Sequence, residues 1–276
     1  MAADRPRAKS LVATVFGDSI APHGGEVWLS QLVDLLAPFG VGDRLVRSSV
    51  FRLAKDGWLR ADRQGRRSLY TLTDSGRLRF ERAHQRIYSR TDDPWDGTWT
   101  FVLATDLAEP KRAIVRRELE WEGFRLIGPG ILGRPAGDQT ALGEILDRLE
   151  CRSRVTVVSV RDRSDFEGRP LSKLRDTLWD LNAVSATYNR FLRRFESIAA
   201  LAEGAAGWRP EEAFVVRTLL IHSFRRALLH DPLLPGELLP APWPGDEAYA
   251  LSRQIYLRVH SKAEERVQLA LLTVTS

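Results

Sequence analysis

Near the start of the chain, apolar positions recur every three or four residues, which is the spacing of one helix face. The pattern covers Lys9–Gly17 and Trp28–Phe39, and Pro22-His23-Gly24-Gly25 interrupts it between them. Proline and glycine in succession are typical of a turn. The sequence therefore predicts two helices joined by a short break.

The next stretch, Gly42–Thr73, begins with an amphipathic helix. Asp43 is a suitable N-cap residue, and Gly57 can end the helix in the left-handed conformation. At about 100° per residue, one stripe is apolar and should pack inward, namely Val46, Val50, Leu53 and Ala54. The opposite stripe is mostly cationic and consists of Arg44, Ser48, Phe51 and Lys55, flanked by Arg47 and Arg52.

A basic hairpin follows this helix directly. Trp58–Ala61 and Leu69–Leu72 are strand-like runs, and Asp62–Arg67 between them includes Gly65, which supplies the positive φ of a tight turn. The resulting order of helix, helix, helix and hairpin is that of a winged helix-turn-helix, with a recognition helix followed by its wing.

This arrangement predicts a DNA-binding surface. A helix with a cationic outer face fits the major groove, and a basic hairpin beside it can reach phosphates or the minor groove. A solvated surface helix with an exposed hairpin is the simpler alternative. The candidate DNA-binding residues are Arg44, Arg47, Ser48, Ser49, Arg52, Lys55, Arg63, Arg66 and Arg67.

Composition and charge agree with this interpretation. The chain has 276 residues, of which 43% are hydrophobic and 28% charged, as in ordinary globular proteins. The first 90 residues carry 16 Lys and Arg against 9 Asp and Glu, whereas acidic residues slightly outnumber basic ones in the remainder. The single cysteine, Cys151, indicates a reducing compartment. The sequence contains no apolar run of about 20 residues, so it predicts no membrane span. We therefore expect a cytoplasmic protein.

The rest of the chain predicts two further domains. Thr73-Asp74-Ser75 caps one more helix, and a linker follows near residues 91–94. Residues 95–165 then give the order β-α-β-β-α-β of a ferredoxin-like domain. Residues 170–276 read as helical, with an apolar face at Tyr188–Ala199, a helix near 211–229, a proline-rich strap at Asp231–Gly245 and a last helix at 246–262. The expected fold class is α+β, with domains at 1–90, 95–165 and 170–276.

Patterns typical of enzymes are weak in this sequence. Gly128, Gly130 and Gly133 match a dinucleotide fingerprint, but Pro135 follows where a helix should open, so a β-turn is the expected structure. The five histidines lack the spacing of a metal site, and no nucleophile elbow is present. We expect no catalytic residues, no metal and no cofactor.

Five segments resemble a known family. They are RSSVFRLAKDGWLRADRQGRRSLYTLTDSG (47–76), WDGTWTFVLA (95–104), WEGFRLIGPGILGRP (121–135), LWDLNAVSATYNRFLRRF (178–195) and HDPLLPGELLPAPWPGDEAY (230–249). Together they resemble the PaaX family of GntR-like winged-helix repressors of phenylacetic acid catabolism. The resemblance extends over nearly the whole chain, and the hairpin and the proline-rich strap are its most specific parts.

The resemblance implies a bacterial transcriptional repressor that acts as a homodimer on operator DNA and is released by an acyl-coenzyme A effector, phenylacetyl-coenzyme A. Such a thioester would need an apolar slot bordered by cations. The candidate effector-binding residues are Trp179, Tyr188, Arg190 and Arg193. The alternative is that these aromatic residues belong to a core and that the arginines form a solvated face.

Two other functions remain open at this point. The chain could regulate a different pathway, with another effector or none. It could also be a metal-dependent nuclease, because small CRISPR-associated nucleases resemble the central domain of this family and use an acidic residue after the first strand. Asp106 lies at that position here, although it can equally be a loop residue before Glu109-Pro110.

Overall fold

The structure is a computed structural model of the chain and describes residues 7–78, 80–81, 94–162, 167–203, 207–229 and 231–273. Its described α-helices of eight or more residues are α1 (Ala8–Val15), α2 (Leu29–Leu36), α3 (Asp43–Lys55), α4 (Lys111–Trp121), α5 (Gln139–Arg148), α6 (Leu181–Glu203), α7 (Pro210–Leu228) and α8 (Pro244–Leu272). Its strands are β1 (Glu26–Trp28), β2 (Leu59–Gln64), β3 (Arg67–Leu72), β4 (Trp99–Leu103), β5 (Arg125–Gly128), β6 (Ile131–Pro135) and β7 (Thr156–Val160). Helices and two antiparallel sheets together confirm the α+β class.

By contacts, the chain forms two compact units. The first unit contains Met1–Arg90, Tyr188–Leu228 and Pro244–Ser276, and the second contains Thr91–Thr187 and Leu229–Trp243. This grouping differs from the three consecutive domains expected from the sequence. The segment 170–276, expected to be one helical domain, is divided between the two units because its helices α7 and α8 share the core of the N-terminal segment.

The first three helices lie close to where the sequence placed them. The inward stripe of α3 is confirmed, because Val46 and Val50 are completely buried and Leu53 nearly so. Gly57 follows α3 with a φ of 75°, as expected of a glycine that ends a helix. The predicted cap was wrong by one residue: Gly42 has the extended N-cap conformation, and Asp43 is the first helical residue.

The hairpin is longer and its turn tighter than the sequence indicated. β2 and β3 pair from Leu59 opposite Leu72 to Gln64 opposite Arg67, which leaves only Gly65 and Arg66 in the turn. Gly65 has a φ of 64°, which suits a two-residue hairpin turn. The sequence analysis missed β1, which pairs with the other side of β3 and completes a three-stranded sheet.

A further helical segment begins after β3. The backbone is helical at 74–78 and 80–81, and the Thr73 hydroxyl accepts a hydrogen bond from the Gly76 amide at 2.9 Å, which confirms the predicted cap. The ring of Phe80 packs edge-on against Trp58, with 5.5 Å between the ring centroids. The rest of the predicted helix and the linker at 91–93 lie outside the described residues.

The C-terminal helices of the first unit are buried against the N-terminal helices. Phe214 of α7 and Val259 of α8 belong to the same hydrophobic core as α1, α2 and α3. α8 continues ten residues beyond the predicted end at Lys262. The reason is that Ala263, Val267 and Ala270 are buried in this core, which stabilises the additional turns.

The second unit is built on a four-stranded sheet. Its strand order is β5-β6-β4-β7, all neighbours are antiparallel, and α4 and α5 contribute to the core. The predicted β-turn is confirmed, since Gly130 has a φ of 72° between β5 and β6, and Gly133 lies within β6. A side chain at Gly133 would collide with Ile127 and Phe101. Gly130 therefore permits the turn between β5 and β6, and Gly133 permits close packing within the sheet.

The proline-rich strap has the expected irregular structure. Before α8 begins at Pro244, it contains one short 3-10 turn, Gly236–Leu238, among its described residues, and it buries Leu234, Leu238 and Trp243. Proline has no amide donor and fixes its own φ, so five prolines in this segment exclude a regular helix.

Candidate nucleic-acid interface

The outward face of α3 is cationic and exposed. Arg44, Arg47, Arg52 and Lys55 are exposed along it. Phe51 lies among them with 68% of its surface exposed, which is unusual for so large an apolar side chain. The sequence placed Phe51 on this stripe but not among the binding residues; its position between the arginines was the available signal.

Short-range contacts orient two of these arginines along the helix. The Nε atom of Arg47 donates to the Asp43 carboxylate at 2.9 Å, and the Nε atom of Arg52 donates to the Ser48 carbonyl at 3.2 Å. Exposed pairs one helical turn apart contribute only about 0.3–0.5 kcal/mol. Both guanidinium groups can therefore exchange these contacts for a stronger anionic ligand.

Ser49 was wrongly included among the DNA-binding candidates. It is completely buried on the inner side of α3, between Val46 and Leu53 on the helix surface. A base or phosphate cannot reach a side chain with no exposed surface. Its neighbour Ser48 is half-buried, and the Ser48 hydroxyl donates to the Leu45 carbonyl at 3.1 Å.

The hairpin carries a second set of cations. Arg63 and Arg66 are exposed, and Arg67 is half-buried at the start of β3. The Nε atom of Arg63 donates to the Gly65 carbonyl at 3.3 Å, which holds this side chain beside the turn. The turn itself presents Arg66, because Gly65 and Arg66 are the two residues outside the paired register.

The helix and the hairpin border one groove with a volume of about 660 Å³. Arg47 of α3 lines it together with Arg66 and Arg67 of the hairpin, and the first turn of α2 and the last turn of α8 form further parts of the wall. The structure thus brings three of the sequence-predicted arginines together. The groove also contains residues that sequence analysis did not select, such as Ser30 and Ser68.

Comparison with known proteins assigns the family. The family model described as PaaX-like protein matches residues 7–76, and the PaaX-like protein C-terminal domain matches residues 179–268. Transcriptional repressor PaaX of Escherichia coli (strain K12) is 37% identical over 251 residues, covering 91% of this chain and 79% of that protein. The chain belongs to the PaaX family.

A solved structure resembles the chain over nearly its whole length. It is that of the uncharacterized protein Rv0674 from Mycobacterium tuberculosis, with a TM-score of 0.54 and 26% identity over 96% of this chain and 99% of that one. The first family segment contains α3 and the hairpin, and the second contains α7 and most of α8. Both family segments therefore contribute to the first compact unit.

Inside this unit, a buried ion-pair network connects the two family segments. Arg217 of α7 has no exposed surface, and its guanidinium contacts Asp18 at 3.1 Å, the Ser19 hydroxyl at 3.0 Å and the Glu264 carboxylate of α8. His23 reaches the second oxygen of Glu264 at 3.1 Å. Burial alone would lower the pKa of Arg217, but Asp18 and Glu264 outweigh it and hold the pKa above the ordinary value.

The four effector candidates fall in different surroundings. Trp179 and Tyr188 are almost completely buried, whereas Arg190 and Arg193 are exposed on α6. Trp179 belongs to the second unit, and the other three belong to the first. An effector site at these residues therefore stays a prediction.

Asp106 is exposed in the loop after β4. Its carboxylate accepts a long hydrogen bond of 3.4 Å from the Thr105 hydroxyl, and its carbonyl accepts one from Arg154 at 2.9 Å. Within the described ranges of the chain, no group of three or more His, Cys, Asp or Glu residues could bind a metal ion. None of the helices searched over those residues is long and apolar enough to cross a membrane.

Proposed function

We propose that this chain is a DNA-binding transcriptional repressor with a winged helix-turn-helix head. The observation that carries the proposal is the groove at which Arg47 of α3 meets Arg66 and Arg67 of the hairpin. Exposed cations on a helix and on an adjacent hairpin suit the major groove and the flanking phosphates of duplex DNA. The printed name of the Escherichia coli relative, a transcriptional repressor, supports the same assignment.

In this proposal, the helix and the hairpin have different tasks. Arg44, Arg47, Arg52 and Lys55 face base edges in the major groove, and Arg63, Arg66 and Arg67 hold the backbone or the minor groove. Phe51 joins the first group, since an exposed ring can contact the methyl group of thymine. Base contacts then determine which sequence is bound, and the hairpin contacts determine affinity and its dependence on salt.

The second part of the proposal concerns regulation. We infer that the regulated genes belong to phenylacetate catabolism and that an acyl-coenzyme A ester, phenylacetyl-coenzyme A, releases the repressor from its operator. Release requires the effector to bind the DNA-incompetent arrangement more tightly, and tenfold weaker DNA binding needs only about 1.4 kcal/mol of coupling. Because α7 and α8 share a core with α1, α2 and α3, a ligand that moves these helices can move the DNA-binding elements.

Two architectural features complete the proposal. The strand order β5-β6-β4-β7, with α4 and α5 as its helices, supports a ferredoxin-like central domain. A homodimer on two operator half-sites follows from the family resemblance and from the symmetry that such repressors share with their operators.

The test is fluorescence anisotropy with labelled promoter DNA that flanks the gene of this protein. A repressor of this kind binds this duplex more tightly than a shuffled duplex of equal length, and its affinity falls steeply as salt rises. Phenylacetyl-coenzyme A then weakens binding, whereas free coenzyme A serves as the control.

The outcomes separate the parts of the proposal. Specific binding that ignores phenylacetyl-coenzyme A retains the repressor and rejects this effector, and other acyl-coenzyme A esters are then titrated. Equal binding to the promoter and the shuffled duplex rejects the repressor assignment itself.

A further inference from the structure

Two large apolar side chains are exposed on the outer side of α3. Leu45, in the first turn of this helix, has 51% of its surface exposed, and Phe51 has 68%. Single exposed leucines occur on most protein surfaces, so exposure alone does not indicate a role for Leu45. Its position is more informative. Within residues 7–73, all of which the structure describes, the exposed large apolar side chains are Leu45 and Phe51, and both belong to the helix proposed to enter the major groove.

Leu45 and Phe51 lie on opposite borders of the polar stripe of α3. At about 100° per residue they are about 120° apart around the helix, and Ser48, Arg52 and Lys55 lie between them. At about 1.5 Å per residue they are also separated by about 9 Å along the helix axis. This distance exceeds one base-pair step of about 3.4 Å, so the two side chains should reach different base pairs.

The charges around Leu45 favour a duplex as the occupant of this surface. Arg44 and Arg52 are exposed on the adjoining part of α3. The carboxylate in the same turn belongs to Asp43, and it is already paired with Arg47 at 2.9 Å. A cationic border of this kind attracts phosphates, and the apolar group that a duplex presents in its major groove is the C5-methyl group of thymine.

The hydroxyl group nearest to Leu45 on this stripe is turned towards the helix backbone. The Ser48 hydroxyl donates to the Leu45 carbonyl at 3.1 Å, and the Nε atom of Arg52 donates to the Ser48 carbonyl at 3.2 Å. The proton of this hydroxyl is therefore used within α3. At this border of the stripe, the Leu45 side chain offers an apolar contact instead of a hydrogen bond.

We propose that Leu45 determines sequence preference by packing against the C5-methyl group of an operator thymine, at a different base pair from the one that Phe51 contacts. The inference rests on the proposed function and adds Leu45 to the residues that select the bound sequence. The contact removes a methyl group from water, which should change DNA affinity about fourfold.

Replacement of single thymines by uracil in the promoter duplex tests the proposal, because uracil lacks only the methyl group. Fluorescence anisotropy of the parent protein should show about fourfold weaker binding at the positions that Leu45 and Phe51 contact. Leu45→Ala should bind the unmodified promoter at least about fourfold more weakly than the parent, and it should lose the response to uracil at some of these positions. Phe51→Ala should lose the response at the others.

Leu257→Ala is the matched control. Leu257 is a leucine of α8 in the same compact unit, and it is 63% exposed. Alanine favours a helix at least as strongly as leucine does, so Leu45→Ala and Leu257→Ala should both unfold at about the temperature of the parent protein. Leu257→Ala should also bind the promoter and respond to each uracil as the parent does.

Three results overturn the inference. The first is the same response to uracil in Leu45→Ala as in the parent at every position, and the second is an equal loss of affinity for the promoter and the shuffled duplex. The third is a changed oligomeric state of Leu45→Ala in sedimentation with an unaltered uracil response, which would assign this surface to a second copy of the chain. Failure of the proposed function is distinguished from these results, because the unaltered protein would then show no preference for the promoter.

Discussion

Two groups of arginines in the first unit have opposite surroundings. Arg217 lies in the interior with no exposed surface and contacts Asp18, Ser19 and Glu264. Arg66 and Arg52 lie on the outer surface of the same unit. Among the described residues, the Arg52 side chain bonds only to Ser48, one helical turn away, and the Arg66 side chain has no hydrogen-bond or ion-pair partner. The same side chain thus serves the fold in one place and remains available to a ligand in the other.

The comparison shows that some arginines of this protein stabilise its interior while others remain accessible to a ligand. The fully buried guanidinium of Arg217 contacts two carboxylates, so its binding capacity is already used inside the molecule. An exposed guanidinium loses little when it leaves a surface partner, so it can bind phosphate or a base edge instead. The partners of each arginine therefore select candidate DNA-binding arginines better than the count of basic residues does.

Removal of the buried cation should have the largest effect. Arg217→Met removes the buried guanidinium that the carboxylates of Asp18 and Glu264 share, and we expect a loss of about 3–5 kcal/mol in the free energy of unfolding. Urea denaturation of the purified protein measures it. Arg253→Met, at an exposed position of α8, is the control and should change stability by less than about 0.5 kcal/mol. Equal midpoints for the two variants would show that the network contributes nothing to stability.

Exposed arginines should affect DNA binding and leave folding intact. Arg52→Ala should relax the choice of sequence by about 1–3 kcal/mol at one position of the site, as should Arg47→Ala. Arg66→Ala should instead weaken binding to all duplexes alike and reduce the salt slope by about one. Anisotropy with a panel of promoter duplexes, each with one base pair changed, measures both effects. The division of tasks is wrong if Arg66→Ala alters the preferred base at one position and leaves non-specific binding unchanged.

The sequence was informative wherever local patterns determine the structure. The stripe of α3, the glycine at position 57 and the turn at Gly130 follow from periodicity and turn chemistry. The network of Arg217 could not be predicted, because Asp18 and Glu264 are far from it in the chain and only the packing of α7 and α8 brings them together.

The missed features of the groove have the same origin. Strand β1 has only three residues, which is too short to show an alternating pattern, and its place is determined by pairing with β3. The last turns of α8 form because they pack in the core of the first unit. Ser30 and Ser68 line the groove because the fold places the first turn of α2 beside the hairpin, and the sequence alone does not show this proximity.

Substitution of Ser49 should have the smallest effect on stability and DNA binding. It compares the inner side of α3, where Ser49 lies, with the outer side of the same helix. At about 100° per residue it lies close to Leu53, so a helical wheel already indicated its burial. Its hydroxyl is buried without a hydrogen-bond partner among the described residues. An unsatisfied buried hydroxyl costs about 1–3 kcal/mol, so Ser49→Ala should leave stability unchanged or slightly increased.

The DNA affinity and base preference of Ser49→Ala should match those of the parent protein in the duplex panel, whereas Arg52→Ala changes both. A loss of promoter binding by Ser49→Ala at unchanged stability would mean that the inner side of α3 takes part in recognition and would overturn the exclusion of Ser49.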